Sequence, residues 1–152
     1  MRSWNFLALI AALGSGLLLA GAFVFQAFGY APCELCLLQR WPHAVALAVG
    51  GLVRATGGKW LCWAGGLAAL VTAGLGVYHT GVERGYWIGP TSCSSGSIQG
   101  LTSDDLLTQI MAAPLVRCNE VAWSMFGLSM ASWNAVLSLG LALLWVAAAR
   151  RD

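Results

Sequence analysis

Charge is what this sequence has least of. Its 152 residues include eight Lys and Arg and six Asp and Glu, 9% charged against the roughly 25% usual in soluble domains. That shortage excludes an ordinary soluble domain, and a net charge of +2 with no basic cluster excludes the electrostatic footprint of a nucleic-acid-binding protein. Proline is also scarce, with four residues, and there is no repeat or low-complexity tract. What fills the space is apolar: 59% of the chain is hydrophobic, in long runs, which points to a membrane protein.

No charged residue occurs between Ser3 and Cys33, and residues 6–28 are apolar apart from Ser15 and Gln26. This first run is long enough to cross a hydrocarbon core of roughly 30 Å, and it outlasts the apolar core of a signal peptide. A second span is expected over about residues 35–53, a third over about 60–79 and a fourth over about 133–149. The second is unusual, because only residues 41–53 separate Arg40 from Arg54. A helix starting near Leu35 would embed Arg40 in its first two turns, and an intramembrane arginine is a functional candidate by default. Pro42 lies inside the same segment and removes a backbone hydrogen bond there. The expected fold is therefore an all-α four-helix transmembrane bundle, one domain over residues 1–152.

Arg2, Arg54, Lys59, Arg150 and Arg151 all fall on one side of such a bundle, which the positive-inside rule makes cytoplasmic together with both termini. The outer side then holds a short loop, about residues 29–34, and a long one, about 80–132. In the long loop Thr102-Ser103-Asp104-Asp105 reads as a helix start, followed by a short helix that Pro114 ends and that lies either on the membrane interface or packed within the loop. The apolar residues 121–130 are expected as an interfacial segment or an extra turn of the fourth span.

Four of the five cysteines, Cys33, Cys36, Cys93 and Cys118, map to the outer side, which is oxidising in bacteria. Cys62 falls within the third span and reads as a small buried hydrophobe. Cys33-Glu34-Leu35-Cys36 is a C-x-x-C motif at a helix N-terminus, where the dipole and free N–H groups favour a thiolate. Cys36, Arg40 and His43 follow at i, i+4 and i+7, along one helix face. A zinc site using all four cysteines lacks the paired spacing of common structural sites, since Cys93 and Cys118 stand 25 positions apart. Two disulfides that merely staple the loops would leave the embedded Arg40 unexplained. A redox role accommodates both.

The segment Pro32-Cys33-Glu34-Leu35-Cys36-Leu37-Leu38-Gln39-Arg40, with His79, Cys93 and Cys118, resembles the DsbB family of disulfide bond formation proteins, and the likeness extends along essentially the whole chain. A vitamin K epoxide reductase-like enzyme would instead carry its quinone-facing C-x-x-C in a late span. The resemblance implies a bacterial inner-membrane protein-disulfide oxidoreductase, functional as a monomer, that reoxidises a periplasmic DsbA-like thioredoxin-fold partner. Its electrons would pass to ubiquinone or menaquinone.

On the same resemblance, Cys93 with Cys118 receives electrons from the partner, and Cys33 with Cys36 hands them to the quinone. Cys93 takes the partner, Cys118 is freed to attack Cys33, and Cys36 is left as a thiolate beside Arg40. Arg40 would stabilise that thiolate and the charge growing on a quinone oxygen. His79 would bind the other carbonyl or relay a proton, and Gln39 and His43 are further candidates for the cofactor site. Because DsbA-type oxidases sit near about −120 mV, only an acceptor more oxidising than ordinary protein dithiols draws electrons from them.

Overall fold

Helices form wherever the apolar runs demand that backbone hydrogen bonds close within the segment. The computed structural model describes residues 3–90, 102, 104, 107–108, 111 and 116–151. Its long helices are α1 (Ser3–Ala27), α2 (Glu34–Thr56), α3 (Leu61–Glu83) and α4 (Met130–Arg150). Each packs on the next and α4 returns to α1, so the four close into a bundle.

Local chemistry marks the helix ends. The Cys33 sulfur accepts the Cys36 N–H and caps α2, while Gly57, at φ 67°, closes its last turn through a bond to Val53 O. Ser129 caps α4 by accepting the Ser132 N–H. α3 has no side-chain cap, and bonds from Leu61 to Gly58 O and from Cys62 to Lys59 O wind its entry.

Small residues face inward and large ones outward, the reverse of a soluble bundle. Ala8, Ala11, Ala12, Cys62, Ala69, Ala142 and Ala148 surround a fully buried Trp145, whereas Leu17, Leu67 and Leu143 are exposed. Between helices in lipid there is no hydrophobic driving force, so close backbone approach and dispersion take its place. A Cβ on Gly65 would lie 2.6 Å from the Trp145 ring, and one on Gly50 would lie 2.2 Å from Ala12 Cβ.

Three helices, α1, α3 and α4, are long and apolar enough to cross a membrane by length and composition. The fourth, α2, carries Gln39, Arg40, Pro42 and His43, and it turns Gln39 and His43 into the bundle. The four-helix expectation holds, with α3 running on to Glu83 and α4 beginning at Met130.

The stretch before α4 differs from expectation. In place of an extra helical turn it forms a β-hairpin of β1 (Ser124–Met125) and β2 (Leu128–Ser129), with Ser124 opposite Ser129. Phe126 at φ 53° and Gly127 at φ 77° form its two-residue turn, the left-handed pair that matches strand twist. Most of the short helix expected after Thr102 lies outside the described residues. Within it Asp104, Leu107, Thr108 and Met111 are helical, and the Thr108 hydroxyl donates to Asp104 O at 2.9 Å.

Gly65→Val is expected to force α3 away from Trp145 and to destabilise the bundle by roughly 1–3 kcal/mol, the usual range for overpacking. Gly74→Val, where nothing lies within 4 Å of the added carbon, is expected to change little. Thermal melts of both variants in the same detergent check the contrast.

Candidate active site

The first turn of α2 brings two thiols together. Cys33 stands just outside the helix with extended backbone, and its Sγ receives the Cys36 N–H at 3.3 Å. The Cys33 S–H donates to Cys36 Sγ at 2.9 Å, and neither cysteine is held in a disulfide in this structure. That hydrogen bond, burial and the charge on Cys36 all push the Cys33 thiol well above its ordinary value.

Leu35 anchors this turn, packing with Cys33 against Val82 at the end of α3 and against Cys118 from the loop. Cys118 is fully buried and disulfide-bonded. The sulfurs of Cys33 and Cys118 and a ring nitrogen of His79 all lie within 4.8 Å of one another. His79 Nε2 is 3.6 Å from Cys33 Sγ and 3.9 Å from Glu83 Oε1, and Glu83 in turn accepts a hydrogen bond from the Ser129 hydroxyl.

Beside Cys36 opens a cavity of about 460 Å³, within the range of small-molecule sites. Leu18 and Ala22 of α1, Trp123, Met125 of the hairpin, and Met130 and Trp133 of α4 give it an almost wholly apolar wall. Its polar edge comes from Cys36, Gln39, Arg40, His43, His79 and Asn134. The i, i+4, i+7 face of α2 thus does line one space.

Arg40 is held from the α1 side. Its Nη1 donates to Gln26 Oε1 at 2.8 Å and its Nη2 to Ala22 O at 3.3 Å, with the guanidinium 4.8 Å from the Phe23 ring centre. Its Nε is buried without a partner among the described residues.

Of the predicted residues, Cys33, Cys36, Gln39, Arg40, His79 and Cys118 gather around this turn, and Cys93 lies outside the described residues. Cys62 sits apart, buried in the Trp145 cluster as expected of a small hydrophobe. Sequence reasoning passed over Gln26, Thr72, Glu83 and Asn134. A signal for three of them was present, since Gln26, Thr72 and Asn134 are polar residues within otherwise apolar spans, and such residues face the bundle interior.

A family model described as "Disulfide bond formation protein DsbB" matches residues 4–148. The chain belongs to the DsbB family. It is similar to a disulfide bond formation protein B of Verminephrobacter eiseniae, 31% identical over 97% of this chain and 90% of that one. It is likewise similar to a disulfide bond formation protein B 2 of Pseudomonas savastanoi pv. phaseolicola, 30% identical over 92% and 85%, and to a disulfide bond formation protein B of Albidiferax ferrireducens, 28% identical over 95% and 88%. No solved structure gives a significant match. The chain is thus a DsbB-like multi-pass membrane redox protein, and the vitamin K epoxide reductase-like alternative falls away.

In the reduced chain a soluble alkylating agent is expected to modify Cys36 at least about tenfold faster than Cys33 near neutral pH, because the thiolate is the nucleophile. Cys33 keeps its proton and is 5% exposed. Its labelling should go on rising beyond about pH 9, where an ordinary thiol levels off. Peptide mass spectrometry across a pH series reads both rates.

Proposed function

We propose that the chain is a quinone-dependent protein-disulfide oxidoreductase of a bacterial inner membrane that reoxidises a periplasmic DsbA-like dithiol. The observation that carries this reading is the meeting of a loop disulfide sulfur, Cys118, with the helix thiol Cys33, both within 4.8 Å of His79, beside a cavity that Cys36 also lines. Arg54 in the last turn of α2 and Arg150 in the last turn of α4 support an orientation with the cytoplasm at the end away from Cys33.

The proposed exchange begins when a partner thiolate attacks Cys93 of a Cys93–Cys118 disulfide. A mixed disulfide forms and the electron pair leaves on Cys118. Cys118 attacks Cys33 of the oxidised helix pair, the Cys33–Cys36 bond breaks, and Cys36 receives the pair as a thiolate. The α2 N-terminus favours that thiolate at the cavity wall, and Arg40 borders the same space one turn further along.

The cavity fits a quinone: it is apolar, of suitable volume, and bordered by an arginine whose Nε lacks a partner. A bound ubiquinone or menaquinone would supply a two-electron, two-proton acceptor. Arg40, Gln39 and His79 all border the space. Arg40 has an N–H to offer, whereas Gln39 and His79 direct theirs into the protein and shape the wall near Cys36.

Cys36→Ser is expected to abolish quinone reduction by a reduced DsbA-like partner while leaving the loop disulfide able to trap that partner once. Quinone absorbance and a non-reducing gel report the two halves, and continued turnover by the variant would disprove the electron path. Arg40→Ala should raise the quinone KM or lower kcat by about 10²-fold, comparable to losing one oxyanion donor. Lys should rescue it only in part, because it lacks the planar fork that can hold Gln26 and the cofactor together. Kinetics at equal amounts of inserted protein test this, and full rescue by Lys would reduce Arg40 to an interfacial anchor.

A further inference from the structure

Two backbone carbonyls decide which way the amides of Gln39 and Asn134 point, because a carbonyl oxygen only accepts. Gln39 Nε2 lies 3.1 Å from Leu35 O, so the other end of that amide, Oε1, faces Asn134. The 2.7 Å contact there requires Asn134 Nδ2 as donor, and the same Nδ2 also faces Thr72 O at 3.5 Å. Asn134 Oδ1 is then aimed at His43 Nε2, 2.8 Å away, and this nitrogen carries the hydrogen. The Thr72 hydroxyl gives its own hydrogen to Gln39 O at 3.1 Å and meets His43 Nε2 at 3.3 Å as an acceptor. His43 Nδ1, the bare nitrogen, has no partner among the described residues.

At the other end of the chain of bonds, Gln39 Nε2 donates to His79 Nδ1 at 2.9 Å. Nδ1 is therefore the bare nitrogen of His79 and Nε2 holds the hydrogen. That edge of the ring faces Cys33 Sγ at 3.6 Å and Glu83 Oε1 at 3.9 Å, and the Cys118 sulfur lies within 4.8 Å of a His79 ring nitrogen and of the Cys33 sulfur. It joins an α2 residue to a loop residue from a seat on α3.

We propose that Gln39 and Asn134 are positioning residues that hold His79 as its Nε2–H tautomer, a fixed donor that docks the Cys118 segment beside Cys33 for exchange between the two cysteine pairs. This rests on the thiol-exchange reading above. In that step the Cys118 sulfur bonds to Cys33, the Cys33–Cys36 bond breaks, and the electron pair leaves on Cys36. No net oxidation occurs and the His79 hydrogen stays in place. A base at Nε2 would require a proton on Nδ1, where Gln39 presents an N–H.

The test uses the full chain, oxidised and quinone-free, in detergent. Its two histidines make nitrogen-15 spectra simple to read, and both are expected as Nε2–H with Nδ1 bare. An Nδ1–H signature for His79 would overturn the inference. After addition of one equivalent of dithiothreitol, rapid alkylation and mass spectrometry follow transfer from the loop pair to the helix pair.

Gln39→Glu presents an acceptor to Nδ1. It should move the hydrogen there, slow transfer roughly tenfold, as for one lost hydrogen bond, and give the rate a dependence on pH between about 5 and 8. Glu83 and Cys33 face the ring on its Nε2 side and enter such a profile, with Cys118, Cys36 and Arg84 nearby. Asn134→Leu, which removes the donor to Gln39 Oε1, should slow transfer in the same direction if Gln39→Glu does not fold. His79→Gln, which retains a donor, should transfer faster than His79→Leu. Unchanged rates in the Gln39 and Asn134 variants, or equal rates for the two His79 variants, would overturn the proposal. Absence of any transfer in the wild type would remove the thiol-exchange reading itself, and this inference with it.

Discussion

A polar side chain in a bilayer has to find its hydrogen bonds inside the protein, and that requirement organises the upper half of this bundle. The short bond from Gln39 to Leu35 O is where it begins, because it gives the Gln39 amide a direction. From that one bond the order of donors and acceptors follows through Asn134 to His43 on one side and to His79 on the other. Leu35 also seals Cys33 and Cys118 beneath the loop, so a single turn of α2 governs both the polar chain and the meeting of the thiols.

The bundle divides its work along its length. Around Trp145 the helices approach through alanine and glycine and leave no room, which fixes their spacing. Toward Cys33 the partners become larger and more polar, and a cavity bordered by Trp123, Trp133 and Arg40 opens. A close-packed interior resists collapse because every neighbour is already in contact. The tight end therefore keeps the wide end open.

Much of this was legible in the residues. Hydrophobic run lengths gave three of the four helices, the second required an arginine embedded in its first two turns, and the i, i+4, i+7 spacing of Cys36, Arg40 and His43 anticipated the shared cavity wall. The hairpin was not, because its left-handed turn begins on Phe126 where Asn or Asp is the usual signal, and an apolar run of that length suits helix or strand. Nothing near Glu83 in the sequence signals its buried place, since its hydrogen-bond partner Ser129 stands 46 positions away. The anchoring of Arg40 by Gln26 is similarly non-local, as is every bond of Asn134 outside its own helix.

The hairpin has a mechanical consequence. Two-residue strands are too short to hold a position by themselves, so this one depends on its surroundings. Trp133 Nε1 holds it through Met125 O at 3.1 Å, the Trp123 ring rests 5.1 Å from that of Phe25, and Ser129 is tied to Glu83 while also capping α4. The same few residues are cavity wall on one side and the continuation of the Cys118 loop on the other. Loop and cavity are in this sense one lever, pivoted on the cap of α4, and a pull on the chain at Cys118 is a force on the wall beside Cys36.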